Sequence, residues 1–121
     1  MGSVQFLTVF PVPMATVPYE EAMPFFPLTG AILGALAGGL LVLGGVAALP
    51  AGIAAALALM VWLLVTGLLH EDGLADVADG IRAGRTPERM LEIMRDSRIG
   101  TYGGVALVLA TLLRWQALSE I

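Results

Sequence analysis

The stretch HEDGLADVADG, His70–Gly80, sets four acids among eleven residues, directly after a long run that carries no charge. Asp72, Asp76 and Asp79 stand at i, i+4 and i+7, so on a helix they project within roughly 60° of one another. Three carboxylates on one stripe, with no lysine among them, repel one another and unwind the helix unless a cation compensates. Mg2+ is the natural compensator, a hard ion that takes carboxylate oxygens and bridges to substrate phosphate. A second reading is a solvated polar cap whose acids pair with Arg82 and Arg85. Gly73 and Gly80 each follow an aspartate, where a missing side chain lets a bulky group approach the backbone. That tilts the reading towards a metal and ligand site. The spacing is not that of an EF-hand, which needs acids at alternate loop positions and a closing glutamate. His70, the sole histidine, is either an interfacial residue or a hydrogen-bonding neighbour of the ligand, with a general-base role also open.

A second polar cluster follows in LEIMRDSRIGTYGG, Leu91–Gly104. Arg95, Asp96, Ser97 and Arg98 lie together, ahead of Gly100, Gly103 and Gly104. Arginine is the side chain best fitted to grip a phosphate through paired donors. A surface ion-pair network is the plainer alternative. Taken together, an acidic metal grip and a basic phosphate grip in one short segment imply phosphoryl chemistry, where catalysis is positioning and charge neutralisation.

The rest of the chain must hold these groups at a membrane. Of 121 residues 58% are hydrophobic and 13% charged, whereas a soluble domain is roughly 25% charged. Seven of the ten acids and five of the six arginines fall between Glu71 and Arg98, and lysine is absent. With no cysteine, disulfides and thiolate metal sites are excluded. The expected fold is all-α: a polytopic transmembrane helical protein with about three spans and one cytoplasmic loop that bears the motifs.

Residues 1–27 hold five of the seven prolines and no basic residue. They read as an extended or broken interfacial segment, contacting lipid through Phe6, Leu7, Phe10, Phe25 and Phe26, and not as a cleaved signal. Residues 28–49 and 51–69 are uncharged runs long enough to form a transmembrane hairpin about Pro50. Gly30, Gly34 and Gly38 repeat at intervals of four, a spacing that lets helices pack closely in lipid. Residues 70–102 form the polar active-site loop, within which Thr86 and Pro87 mark a helix start. Residues 103–118 form a third span, bounded in its apolar part by Arg114 and Trp115. Five arginines in one loop keep that loop, and with it the N-terminus, on the cytoplasmic side.

LLHEDGLADVADG and LEIMRDSRIGTYG, in this order, resemble the signature segments of the cobalamin synthase family, the adenosylcobinamide-GDP ribazoletransferases. FLTVFPVP (Phe6–Pro13) and FPLTGAILG (Phe26–Gly34) resemble its N-terminal segments, so the likeness runs over most of residues 5–104. The chain departs from the family's usual pattern at Val9, Leu68 and Glu71. Family members are roughly twice as long, so the chain is expected to correspond to the N-terminal half.

The resemblance implies a membrane transferase of cobalamin biosynthesis in the inner membrane of a prokaryote. A hydroxyl of α-ribazole, or of its 5′-phosphate, attacks the cobinamide-linked phosphorus of adenosylcobinamide-GDP and GMP leaves. Magnesium is the implied cofactor. Asp72, Asp76 and Asp79 would hold it, with Asp96 as a further acid, while Arg95 and Arg98 stabilise the leaving phosphate. His70, Gly73, Gly80 and Ser97 complete the expected substrate contacts. The expected partners are these substrates, the bilayer, and either further copies of the chain or the missing C-terminal half; nucleic acid is not among them.

Other membrane transferases with aspartate-rich diphosphate sites are the nearest alternatives. CDP-alcohol phosphotransferases carry an Ala-Arg pair in their signature, whereas Ala75 is followed here by Asp76. Prenyltransferase motifs begin with asparagine and step their acids by four. A scaffold or ion-coupled transporter is the alternative from another class, but the two complete spans lack the ionisable residues that a cation path requires.

Overall fold

The computed structural model describes residues 7–9 and 18–121, and these are mostly helical, with no strand among them. Phe6, Phe10 and most of the expected interfacial segment lie outside the described residues. Its last part is helical: a turn at Tyr19–Ala22 and a 3-10 turn at Met23–Phe25 lead into the first long helix, α1, Phe26–Val46. Pro24 and Pro27 do not break this run, because each stands in the first turn of its element. No backbone donor is needed there.

The chain forms two compact units, one reaching to Gly67 and taking back Trp115–Ile121, the other comprising Leu68–Arg114. In the first unit α1 and α2, Ala51–Thr66, form the expected hairpin. Both helices stop three residues short of their apolar runs. After α1 the chain turns at Ala48, at a φ of 56°, while the Leu49 amide donates to the Gly44 carbonyl. After α2, Gly67 adopts the left-handed conformation, with φ 62°, and its N–H closes the last turn on Leu63 and Leu64. Glycine is required there twice over, since a Cβ would also stand 2.7 Å from Val9 Cγ1. Leu68 follows at φ 62° and ψ 18° as the residue capping the next helix. A side-chain-bearing residue in this region is uncommon.

The close packing of the hairpin does not use the repeated glycines. A Cβ at Gly30, Gly34 or Gly38 would meet nothing within 4 Å, whereas at Gly44 it would fall 2.7 Å from Ala54 Cβ. Ala54, Ala55, Ala58 and Leu59 line the buried face of α2, and Leu33 and Thr29 are buried on α1. Trp115 closes on the start of α2, its indole N–H donating to the Gly52 carbonyl at 2.9 Å.

Large aliphatic side chains cover the outer surface. Val42 and Val46, for example, are 67% and 81% exposed. Apolar surface on this scale marks a site that water does not cover in the working protein. Glu20–Val46, α1 with its lead-in turns, is the one helix among the described residues that is by itself long and apolar enough to cross a membrane. α2 reaches that length only when counted together with the helix beyond Gly67–Leu68. The three apolar runs therefore give three helices, of which one alone meets the requirement for a span.

The second unit holds most of the polar segment expected as a loop, and it is largely helical. α3 spans Leu69–Ala83, α4 spans Pro87–Arg95, and α5, Thr101–Ser119, contributes its residues up to Arg114. Glu71 and Asp72 in the first turn of α3, and Arg82 in its last, complement the helix dipole. Two glycines inside α3 cost about 1 kcal/mol each in propensity, so tertiary packing must hold it. Thr86 caps α4 as its sequence requires, its Oγ1 accepting from the Arg89 amide at 3.3 Å, with Pro87 in the first turn.

Candidate active site

α3 presents two working faces within the second unit. Glu71, Ala75 and Asp79, spaced by four, are buried along one. On the other, Gly80 admits α4: a Cβ there would lie 2.7 Å from Met94 Cγ and 3.1 Å from the Met90 carbonyl. The bareness of Gly80 thus serves the close packing of α4 on α3. Gly73 differs, being exposed with open space where a side chain would stand.

The three aspartates are not gathered into a metal cage. Asp79 is buried, and its two carboxylate oxygens accept from the Gly100 and Gly103 amides, each at 2.7 Å. A Cβ on either glycine would collide with that carboxylate, so both positions are bare in order to seat it. Asp76 is half-buried and Asp72 exposed one turn earlier. Among the described residues no group of three or more histidines and acids is placed to hold a metal. Sequence reasoning missed this because the helical wheel gives the direction of Asp79 but not the α5 amides that meet it.

The basic cluster is likewise divided. Asp96 stands just beyond α4 and binds Arg98 through both oxygens, with Arg98 Nη2 at 2.8 Å and Nε at 3.2 Å, while the Arg98 amide donates to Oδ1 at 3.0 Å. This contact holds the Asp96 carboxyl at about 2, below its ordinary 3.8, first through the Arg98 side chain and then through its amide. A carboxylate so weakly basic is a poor proton acceptor near neutral pH. The same bond keeps Arg98 more firmly protonated.

An open cavity of about 480 Å³ is lined by Asp79, Arg89, Asp96, Arg98, Thr101 and Tyr102, among others. A second, of about 500 Å³, is lined by Glu88, Leu91, Glu92, Arg95 and Asp96. Arg95 and Arg98 therefore face different concavities, and Asp96 borders both. His70 and Ser97 are exposed and line neither cavity, nor do Asp72, Gly73 and Asp76. Arg89 and Tyr102 are lining residues that the sequence reading passed over. Arg82 stacks over the Tyr102 ring at 5.6 Å from its centroid, a cation–π distance. Arg89 is also drawn towards Glu92, 2.7 Å away on the same helix.

A further charged pair was missed entirely. Arg114 lies inside α5 and donates from Nη1 to Glu71 Oε1 at 2.5 Å, where the Glu71 side chain is only 7% exposed. The second Glu71 oxygen is buried without a partner. A solitary arginine in an apolar helix was the available signal, because such a charge must find a counter-ion.

Comparison with known proteins fixes the family. The sequence model described as CobS, cobalamin-5-phosphate synthase, matches residues 1–121. The adenosylcobinamide-GDP ribazoletransferase of Bradyrhizobium diazoefficiens is 49% identical over 98% of this chain and 47% of its own length. That of Ralstonia pickettii is 47% identical over 98% of this chain and 48% of its own. The Xanthobacter autotrophicus relative of the same name reaches 54% over 78% of the chain. No solved structure matches the chain. The chain thus spans about half the length of the curated relatives it matches, and it belongs to the cobalamin-5-phosphate synthase family.

Proposed function

We propose that the chain carries the polar, substrate-handling half of an adenosylcobinamide-GDP ribazoletransferase embedded in the prokaryotic inner membrane. The observation that carries this reading is near-50% identity across almost the whole chain with relatives bearing that name. The second unit supports it with a cavity bordered by Arg89, Arg98 and Thr101. Guanidinium groups and a hydroxyl at one opening suit a diphosphate in transfer. The expected reaction is attack by a ribazole hydroxyl on the cobinamide-linked phosphorus, with GMP as the leaving group.

Magnesium enters this proposal in a narrower form than the sequence suggested. With Asp79 engaged by backbone amides, Asp72 and Asp76 remain, one turn apart on α3. Two carboxylates are too few for an all-protein cage, but Mg2+ is commonly held by one or two carboxylates together with substrate phosphates. The ion would supply charge neutralisation at the diphosphate. Arg98 would grip phosphate from the Asp96 pair, and Arg89 would do so from α4. α1 would enter the bilayer, and the arginine-rich stretch Arg82–Arg98 would face the cytoplasm.

The test is Mg2+-dependent GMP release from adenosylcobinamide-GDP and α-ribazole, in membranes carrying the wild-type chain or Asp76→Ala. Each is assayed alone and with the C-terminal half of a relative supplied in trans. Turnover by the wild type and its loss in Asp76→Ala, with equal amounts inserted, supports the reading. Full activity in Asp76→Ala, or no GMP from the wild type even with the second half present, overturns it.

A further inference from the structure

Asp79 is one of two buried acids among the described residues. It is 6% exposed, yet both its oxygens are satisfied, and the donors lie 21 and 24 residues away on the main chain. Two amides at the start of a helix, each 2.7 Å from one oxygen, suit an ionised carboxylate. The seat is shaped from both sides. A Cβ at Gly100 would lie 2.5 Å from Asp79 Oδ1, and one at Gly103 would overlap Oδ2 still more closely and also reach the Ala75 carbonyl, 2.9 Å away. Gly104, the next residue, has no such constraint, its added Cβ meeting only Ile99 Cγ2 at 3.9 Å.

We propose that Asp79 is a positioning residue and not a metal ligand: by seating the Gly100 and Gly103 amides it fixes the start of α5 and holds the Asp96–Arg98 segment at the cavity. The segment between α4 and α5 has only Asp96 to Gly100 in which to turn. Fixing Gly100 therefore restricts where Arg98 can present its guanidinium. Asp79 itself borders the same cavity as Arg89 and Arg98, so the seat and the grip share one wall. The catalytic consequence rests on the transferase reading above; the seat itself does not.

The experiment compares the full chain in membranes as wild type, Asp79→Ala, Asp79→Asn, Gly103→Ala and Gly104→Ala. Hydrogen exchange over residues 96–104 is read by mass spectrometry, and GMP release is titrated with Mg2+ in the presence of the C-terminal half of a relative. Exchange at the amides of positions 100 and 103 should quicken by about 10-fold in both Asp79 variants, and at position 100 in Gly103→Ala. Gly104→Ala should match the wild type, although alanine normally favours a helix equally at both positions. In the assay, the Asp79 and Gly103 variants should raise the KM for adenosylcobinamide-GDP while the Mg2+ concentration at half-maximal rate stays within about 2-fold. Loss of a ligand would instead move the Mg2+ requirement by about 10-fold or more. Such a shift in Asp79→Asn with Gly103→Ala unaffected overturns the proposal, as does unchanged exchange in Asp79→Ala. Should the wild type release no GMP, the transferase reading falls while the exchange data still judge the seat.

Discussion

Removing Arg114 should destabilise the protein far more than removing its partner. Glu71 is 7% exposed at the side chain, takes one bond from Arg114 at 2.5 Å, and leaves its other oxygen buried without a partner. Arg114→Met therefore strands a carboxylate that has no second donor. Breaking a buried pair from one side costs about 3–5 kcal/mol. The lower end, about 3 kcal/mol, applies here because Arg114 is itself 35% exposed and water can follow the truncated chain inward.

The reverse change is milder. In Glu71→Leu, Arg114 keeps the Ala110 carbonyl as an Nε acceptor, and its partly exposed head can reach water or lipid headgroups. About 1 kcal/mol is expected from the lost pair, offset in part by the buried leucine. The double variant should recover most of the loss of Arg114→Met, since an apolar replacement for a buried ion pair is commonly neutral or better. Equilibrium unfolding of the purified chain in mixed micelles measures all three. A loss below 1 kcal/mol in Arg114→Met, or one no larger than that in Glu71→Leu, would refute the reasoning.

Three shorter expectations follow from the same packing. Gly44→Ala should cost about 1–3 kcal/mol by pushing Ala54 away, whereas Gly34→Ala, with open space around it, should be neutral or stabilising by up to about 1 kcal/mol; unfolding in micelles separates them. Gly80→Ala should loosen α4 on α3 by about 1–3 kcal/mol, with Met94→Ala restoring only part, because the Met90 carbonyl remains in the way. The Asp96–Arg98 pair should depend on pH at the acid end alone. The Asp96 carboxyl is held at about 2 against an ordinary 3.8, so the pair is fully formed above about pH 4 and lost as pH falls through about 2. Any rate change between pH 5 and 8 should therefore survive Asp96→Asn, and a limb that vanishes in that variant contradicts the assignment.

Much of the architecture was legible because it rests on local rules. Uncharged runs became α1, α2 and α5, and Thr86–Pro87 opened α4 where a cap followed by proline requires it. Helix ends were less legible, since Ala48 and Gly67 stop α1 and α2 through backbone conformations that apolar patterning does not encode. The site was half legible. Aspartate spacing located the working helix, but Asp79 answers to amides far along the chain, and Gly80 serves Met94 and Met90. Arg95 and Arg98 share a motif yet border separate cavities, because Asp96 ends α4 between them and ties Arg98 back.

The joint between α2 and α3 places unequal constraints on two neighbours. Gly67 and Leu68 share a φ of 62°, but any side chain at 67 also meets Val9, so that position is closed to drift. Leu68 is 52% exposed and carries a left-handed penalty of about 1–2 kcal/mol, which glycine would relieve against an entropic cost of about 0.5–1 kcal/mol. Random mutation should therefore find position 68 permissive towards glycine and asparagine and hostile to valine, isoleucine and threonine. Two adjacent residues with one backbone shape would accumulate opposite mutational records.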